Sequence, residues 1–125
     1  MDIQKQIDYW VKSAEEDFAA AQSLTDKGHF RHSLFFVHLA IEKILKAHVS
    51  KQTKVIPPRL HNLVRLAKIA GLSLDIDREQ LLSEFNIYQL EGRYPDCEQL
   101  QLDTSIAKKE LSKAKEVIKW LKTQL

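Results

Sequence analysis

One short stretch of the sequence, residues 91–97, combines side chains suited to binding a phosphate group. Arg93 offers a planar fork of donors that matches phosphate oxygens, and Tyr94 adds a hydroxyl and a stacking surface. Asp96 either pairs with Arg93 and orients it or caps backbone amides. A charge-paired turn between two helices explains the same residues without a ligand, so both interpretations stay open.

His61 is the second candidate, because histidine readily gives and takes protons near neutral pH. It follows Pro57 and Pro58 and opens a predicted helix, where its ring could instead cap the helix by accepting a backbone donor. The sequence therefore allows a catalytic acid or base here, and equally a structural cap.

Metal and cofactor sites are not predicted. His29 with His32, and His38 with Glu42, are spaced to share a helix face, but a zinc site needs three or four converging ligands. Cys97 is the only cysteine, which excludes an internal disulfide and a thiolate cluster within one chain. We therefore expect neither a metal nor a bound cofactor.

The charge of the chain is strongly segregated, although the 125 residues carry a net charge of only +2. Residues 41–70, which include Lys43, Lys46 and Arg59, hold seven basic residues against one acidic, a net charge of +6. Residues 71–103 hold two basic residues against eight acidic, a net charge of −6. This pattern fits a phosphate-binding groove, self-association of opposite blocks, or solvated helix faces.

Helices must position these residues, because apolar residues recur at steps of three and four almost throughout. We predict an all-α protein, an up-down antiparallel bundle of about five helices in a single domain, 1–125. The sequence places the helices at roughly 2–27, 29–51, 60–71, 77–91 and 103–124. Asp77 with Gln80 is predicted to start the fourth helix as a capping box.

The first two helices are predicted to form a hairpin that turns near Gly28, so that facing residue numbers sum to roughly 56. Asp17 then falls on the buried seam of the first helix, where a half-buried carboxylate needs a partner. His38 or Lys43 could supply it. The pair is either a structural polar layer or part of a functional cleft.

No apolar run approaches the roughly 20 residues that cross a bilayer. The start of the sequence, Met1–Lys5, lacks the apolar core of a signal peptide. We expect a cytoplasmic protein without a membrane partner.

Four segments of the chain occur in the same order in HEPN-domain proteins, which this sequence resembles over nearly its whole length. They are Tyr9–Phe18, Ala40–Ala47, Pro57–Leu63 and Arg93–Asp96. The resemblance implies an all-helical bundle, usually a homodimer, often encoded beside a minimal nucleotidyltransferase. Many members are metal-independent endoribonucleases or toxin components, and others are scaffolds or nucleotide-binding modules.

The sequence departs from the ribonuclease members, in which four to six residues separate an arginine from the histidine that follows it. Here Glu98, Gln99 and Leu100 occupy that spacing after Arg93, and no histidine follows His61. RNA cleavage would then require His61 or His38 to lie beside Arg93 in the folded protein or across a dimer.

The resemblance and the +6 block together suggest a nucleotide- or RNA-binding partner of a minimal nucleotidyltransferase in a toxin–antitoxin-type system. Arg93 would bind phosphate, with Tyr94 stacking and Asp96 orienting Arg93. The basic surface would be extended by Lys43, Lys46 and Arg59. The alternatives are a divergent metal-independent endoribonuclease that uses Arg93 with His61, and a non-catalytic interaction scaffold.

Overall fold

The computed structural model describes residues 2–90 and 102–125, and within them it is all-helical, with no strand. The helices are α1 (Ile3–Asp26), α2 (Phe30–Thr53), α3 (Leu63–Ile69), α4 (Ile76–Phe85), α5 (Ile87–Leu90) and α6 (Thr104–Thr123). The predicted all-α fold is confirmed. The predicted fourth helix is present as two segments, α4 and the single turn α5, which a break at Asn86 separates.

Helix ends follow the capping chemistry of the sequence, although two caps differ from those predicted. The Asp2 carboxylate accepts the amide of Lys5 at the start of α1. The predicted Asp77 cap is wrong, because Asp75 lies at the N-cap of α4 and accepts the Arg78 amide at 2.8 Å. His61 does not cap α3 either.

Asn62 caps α3 in its place, accepting the amide of Arg65 at 3.1 Å. The chain reaches α3 without helical structure after the two prolines, because each proline lacks an amide donor and restricts the residue before it. Because residues 54–62 are not helical, the position of the His61 side chain depends on its contacts with other parts of the protein.

The first two helices form the predicted antiparallel hairpin. Gly28 has a φ of +81°, a conformation that favours glycine, and it lies in the connection between them. Along the hairpin, Lys43 reaches Ser13 and Ser50 reaches Gln6, each at a hydrogen-bonding distance. Both pairs sum to 56, as the sequence predicts.

Helix α2 is the centre of the bundle and packs against α1, α3, α5 and α6. Its burial on several sides explains why most of its middle and C-terminal residues are inaccessible. The burial of apolar side chains at about 25 cal/mol per Å² is the main stabilising contribution. The largest of these side chains are Leu34, Ile41, Ile44, Leu45, Leu63, Leu66, Leu82, Phe85 and Leu121. None of the helices in the described ranges combines the length and apolar character needed to cross a bilayer.

Candidate functional site

A buried carboxylate on α2 organises the polar part of the bundle. The side chain of Glu42 is only 4% exposed. Its Oε1 atom lies 3.1 Å from Nδ1 of His61, and its Oε2 atom lies 3.0 Å from Nζ of Lys46. Because burying an unpaired carboxylate is costly, these two contacts are what allow Glu42 to lie inside the protein.

His61 presents its ring at the protein surface while one ring nitrogen is held from inside. Its side chain is 52% exposed. An ionised carboxylate can only accept a hydrogen bond, so Nδ1 of His61 donates to Glu42. In the neutral ring this leaves Nε2 without a proton and able to accept one. The pair thus has the chemistry of an oriented general base or of a hydrogen-bonding group for a ligand.

His38 holds the backbone of His61 from below. It is buried on α2, and its Nε2 atom lies 3.0 Å from the carbonyl oxygen of His61, to which it donates. Burial lowers the pKa of His38 from its ordinary 6.5 to about 4, and the charge of Glu42 and the bond to His61 only partly offset this. His38 is therefore neutral at pH 7 and serves as a fixed donor.

Asn86 braces the same segment from the break between α4 and α5. Its side-chain oxygen accepts the amide of Leu63 at 2.9 Å, and its side-chain nitrogen donates to Asn62 at 3.3 Å. The segment that carries His61 is consequently fixed by residues from α2 and from the α4–α5 junction. These bonds hold the backbone on both sides of His61, and the bond of Nδ1 to Glu42 holds its ring.

Lys43 is the ion-pair partner of Asp17. Its Nζ atom lies 2.7 Å from a carboxylate oxygen of Asp17 and 2.7 Å from Oγ of Ser13. Lys43, and not His38, is the partner that the sequence left open. Both members of the ion pair are largely buried between α1 and α2, so a phosphate ligand of Lys43 would have to displace Asp17.

Lys46 also forms its contacts inside the protein. Besides its ion pair with Glu42, its Nζ atom lies 5.6 Å from the centroid of the Trp10 ring, close enough for a cation–π contact. Its side chain is 10% exposed. Lys46 therefore neutralises Glu42 first, and a ligand would compete with that carboxylate.

Arg59 lies in a different setting, because it is exposed and stands two residues before His61 in the non-helical segment. We define the basic surface as the exposed residues Arg59, Arg65 and Lys68, together with Lys54 at the end of α2. Residues 54–70 contain no acidic residue. Within the part of the chain that the structure describes, none of these four cations forms an ion pair. In this they differ from Lys43 and Lys46, whose charges pair with carboxylates.

The other predicted site residues, Arg93, Tyr94 and Asp96, lie outside the described residues, and their roles stay predictions. Across residues 2–90 and 102–125, no three His, Cys, Asp or Glu side chains converge as metal ligands. The sequence reasoning did not single out Glu42 as the group that orients His61. The available signal was that Glu42 is the one acid in the +6 block.

Comparison with known proteins identifies the family. A model of the HEPN domain matches residues 7–124, nearly the whole chain. The chain belongs to the HEPN domain family. The fold of this HEPN chain is similar to the crystal structure of an archaeal HEPN homologue, with a TM-score of 0.74 and 22% sequence identity over 94% of this chain and 96% of that one. No curated protein matches the sequence.

The buried histidine of this HEPN domain predicts a loss of stability in acid. Since the pKa of His38 is about 4 in the folded protein and near 6.5 when unfolded, the unfolded chain binds the proton first as the pH falls. The contribution is absent above about pH 6.5 and grows to about 2 kcal/mol of destabilisation by about pH 5. Burial lowers the pKa of His48 as well, so it acts in the same direction.

Urea unfolding of the HEPN domain at these two pH values measures the effect. His38→Gln keeps an N–H donor for the His61 carbonyl but does not titrate, so we expect it to lose clearly less stability between them. His32→Gln, at an exposed position, should behave as the wild type. An unchanged pH dependence in His38→Gln would contradict the assignment.

Proposed function

We propose that this HEPN chain binds the phosphate groups of RNA or nucleotides, as a homodimer and as the partner of a minimal nucleotidyltransferase in a toxin–antitoxin-type pair. The observation that carries the binding proposal is the basic surface around His61, whose cations form no ion pair within the described residues. Cations on such a surface gain binding free energy when they replace the counterions of a phosphate backbone. The nucleotidyltransferase partner and the dimer are supported by family membership only.

The side chains of the basic surface are chemically suited to binding phosphate. Arg59 and Arg65 offer forked donors that match two phosphate oxygens, whereas Lys68 contributes a point charge. Arg65 and Lys68 are three residues apart on α3 and are both exposed, so they share a helix face. In this proposal Arg93, with Asp96 orienting it and Tyr94 stacking on a base, adds a further phosphate contact.

The test is a charge reversal of the basic surface. We expect the triple variant Arg59→Glu, Arg65→Glu and Lys68→Glu to bind a single-stranded RNA about a hundredfold or more weakly at low salt. The slope of log affinity against log salt should fall by about 2, since each lost phosphate contact removes about 0.7 for single strands. Fluorescence anisotropy across a salt series measures both quantities.

A matched triple on α6, Lys108→Glu, Lys109→Glu and Lys115→Glu, controls for net charge, because all three lysines are exposed. It should weaken binding much less than the basic-surface triple. Equal losses in the two variants would mean that only net charge matters. If wild-type protein bound neither RNA nor nucleotides at low salt, the proposed function would be abandoned.

A second candidate, a metal-independent endoribonuclease, is favoured by the contact of Glu42 with Nδ1 of His61. In that reaction Nε2 of His61 takes the proton of a ribose 2′-hydroxyl, and the 2′-oxygen forms a bond to phosphorus. The bond to the 5′-oxygen breaks, and that oxygen leaves with a proton from water. The products are a 2′,3′-cyclic phosphate and a 5′-hydroxyl, with Arg93 offsetting the charge on phosphorus.

Incubation of single-stranded RNA with the purified protein in EDTA tests this candidate. Cleavage that ends in a cyclic phosphate and is abolished in His61→Ala would support it. Cleavage that persists in His61→Ala would remove His61 from the reaction, and the absence of cleavage would leave binding as the function.

A further inference from the structure

Two neighbouring aromatic residues near the start of α1, the exposed Tyr9 and the half-buried Trp10, form a pair that neither the fold nor the basic surface explains. The side chain of Tyr9 is 63% exposed. Its ring centroid lies 5.4 Å from that of Trp10, with the two ring planes 68° apart. Such edge-to-face contact orients the Tyr9 ring, while most of the residue remains accessible to solvent.

The aromatic pair is continuous with the site around His61. The Trp10 ring contacts Nζ of Lys46, Lys46 pairs with Glu42, and Glu42 holds His61. Only two side chains therefore separate the Trp10 ring from the His61 ring. The contacts lead from the Trp10 ring on α1 to His61, which lies between Arg59 and Arg65 along the chain.

We propose that Tyr9 and Trp10 form a stacking platform for an unpaired nucleobase of the RNA whose phosphates contact the basic surface. This inference rests on the proposed function and adds to it a site for one unpaired nucleobase. Every nucleobase has a π face, and aromatic side chains beside a cationic groove bind such bases without sequence preference. The Lys46 ammonium lies against the Trp10 ring and places a positive charge beside the aromatic pair.

Other exposed apolar side chains do not offer the same chemistry. Val55, Ile56 and Ile76 are more than half exposed, but they are aliphatic and present no ring to a base. The exposed pair His29 and His32 lies at the opposite end of the α1–α2 hairpin, next to the turn at Gly28. That pair gives a matched control for loss of an exposed ring.

The binding test compares Tyr9→Ala, Tyr9→Phe and His32→Ala with three probes: a single-stranded RNA of ten nucleotides, a duplex of that sequence, and the single strand with abasic positions. We expect Tyr9→Ala to bind the single strand about tenfold to a hundredfold more weakly. Tyr9→Phe and His32→Ala should bind as the wild type. For Tyr9→Ala, affinity for the duplex and the abasic strand should be unchanged, since neither offers a base to stack.

Fluorescence gives an independent readout. Trp10 and Trp120 are the two tryptophans, so a Trp120→Phe background reports on Trp10 alone. The single strand should quench this emission and the abasic strand should not.

The outcomes separate the two proposals. If Tyr9→Ala bound the single strand as tightly as the wild type while the basic-surface triple did not, the stacking platform would be wrong and the proposed function would stand. If wild-type protein bound neither RNA nor nucleotides, both would be overturned, whereas binding of nucleotides without RNA would overturn the platform alone. A shift of Tyr9→Ala to a smaller oligomer in analytical ultracentrifugation would show that the ring belongs to an interface between copies, which also overturns the platform.

Discussion

Replacing Glu42 with alanine is expected to lower the free energy of unfolding by about 3 kcal/mol or more. The substitution leaves the ammonium of Lys46, 10% exposed, without its carboxylate, and it frees the ring of His61. A buried charge that loses its partner keeps its desolvation cost, and this explains why the loss exceeds that of an ordinary surface ion pair. Urea denaturation followed by circular dichroism measures the change.

A double variant distinguishes this mechanism from simple loss of packing. Glu42→Ala combined with Lys46→Met removes the buried cation together with its partner. We therefore expect a double-mutant cycle to give an interaction energy of about 2 kcal/mol between the two side chains. Additive losses would mean that the ion pair contributes little. Glu42→Gln keeps the shape of the side chain, and it should retain more stability than Glu42→Ala.

Replacing Phe85 with alanine is expected to lower the free energy of unfolding by about 3 to 4 kcal/mol, which is the second large effect. Phe85 is among the largest fully buried side chains and lies at the end of α4, one residue before Asn86. Its ring contacts that of Tyr88, whose hydroxyl donates to Glu110 on α6 at 2.9 Å. The cavity would loosen the junction that links α4 and α5 to α6.

Two controls separate a cavity from a general effect of substitution in this helix. Phe85→Leu fills most of the space and should lose only about 1 kcal/mol. Ile76→Ala lies in the same helix at a side chain that is 81% exposed, so it should change stability by less than about 0.5 kcal/mol. Equal losses for Phe85→Ala and Phe85→Leu would contradict the cavity explanation.

The helices could be predicted because their signals are local. Apolar residues at steps of three and four marked the buried stripes, and the predicted starts at residues 2 and 103 lie one residue before the observed starts of α1 and α6. The start of α4 was missed because Asp75 and Asp77 both precede the apolar stripe, and composition alone does not say which carboxylate reaches a free amide. The break at Asn86 was missed because the apolar pattern runs on through it.

The candidate site was predicted only in part. His61 was selected for its chemistry, but the predicted helix 60–71 included it, whereas residues 60–62 are not helical and α3 begins at Leu63. The pairing with Glu42 was not predicted, since 19 positions separate the two residues and no periodicity relates a helix to the loop that crosses it. The same lack of a local signal concealed the bracing by His38 and Asn86.

By itself, the sequence determined an all-helical bundle, a first hairpin in which the numbers of facing residues sum to about 56, and a cationic segment between residues 41 and 70. Only the tertiary structure decided which of those cations stay available to a ligand. Lys43 and Lys46 are taken by buried carboxylates, whereas Arg59 stays exposed with the arginine and lysine of α3. The physical reason is that the attraction between opposite charges depends on the distance between them in the folded protein. Packing sets that distance, and the order of residues along the chain does not.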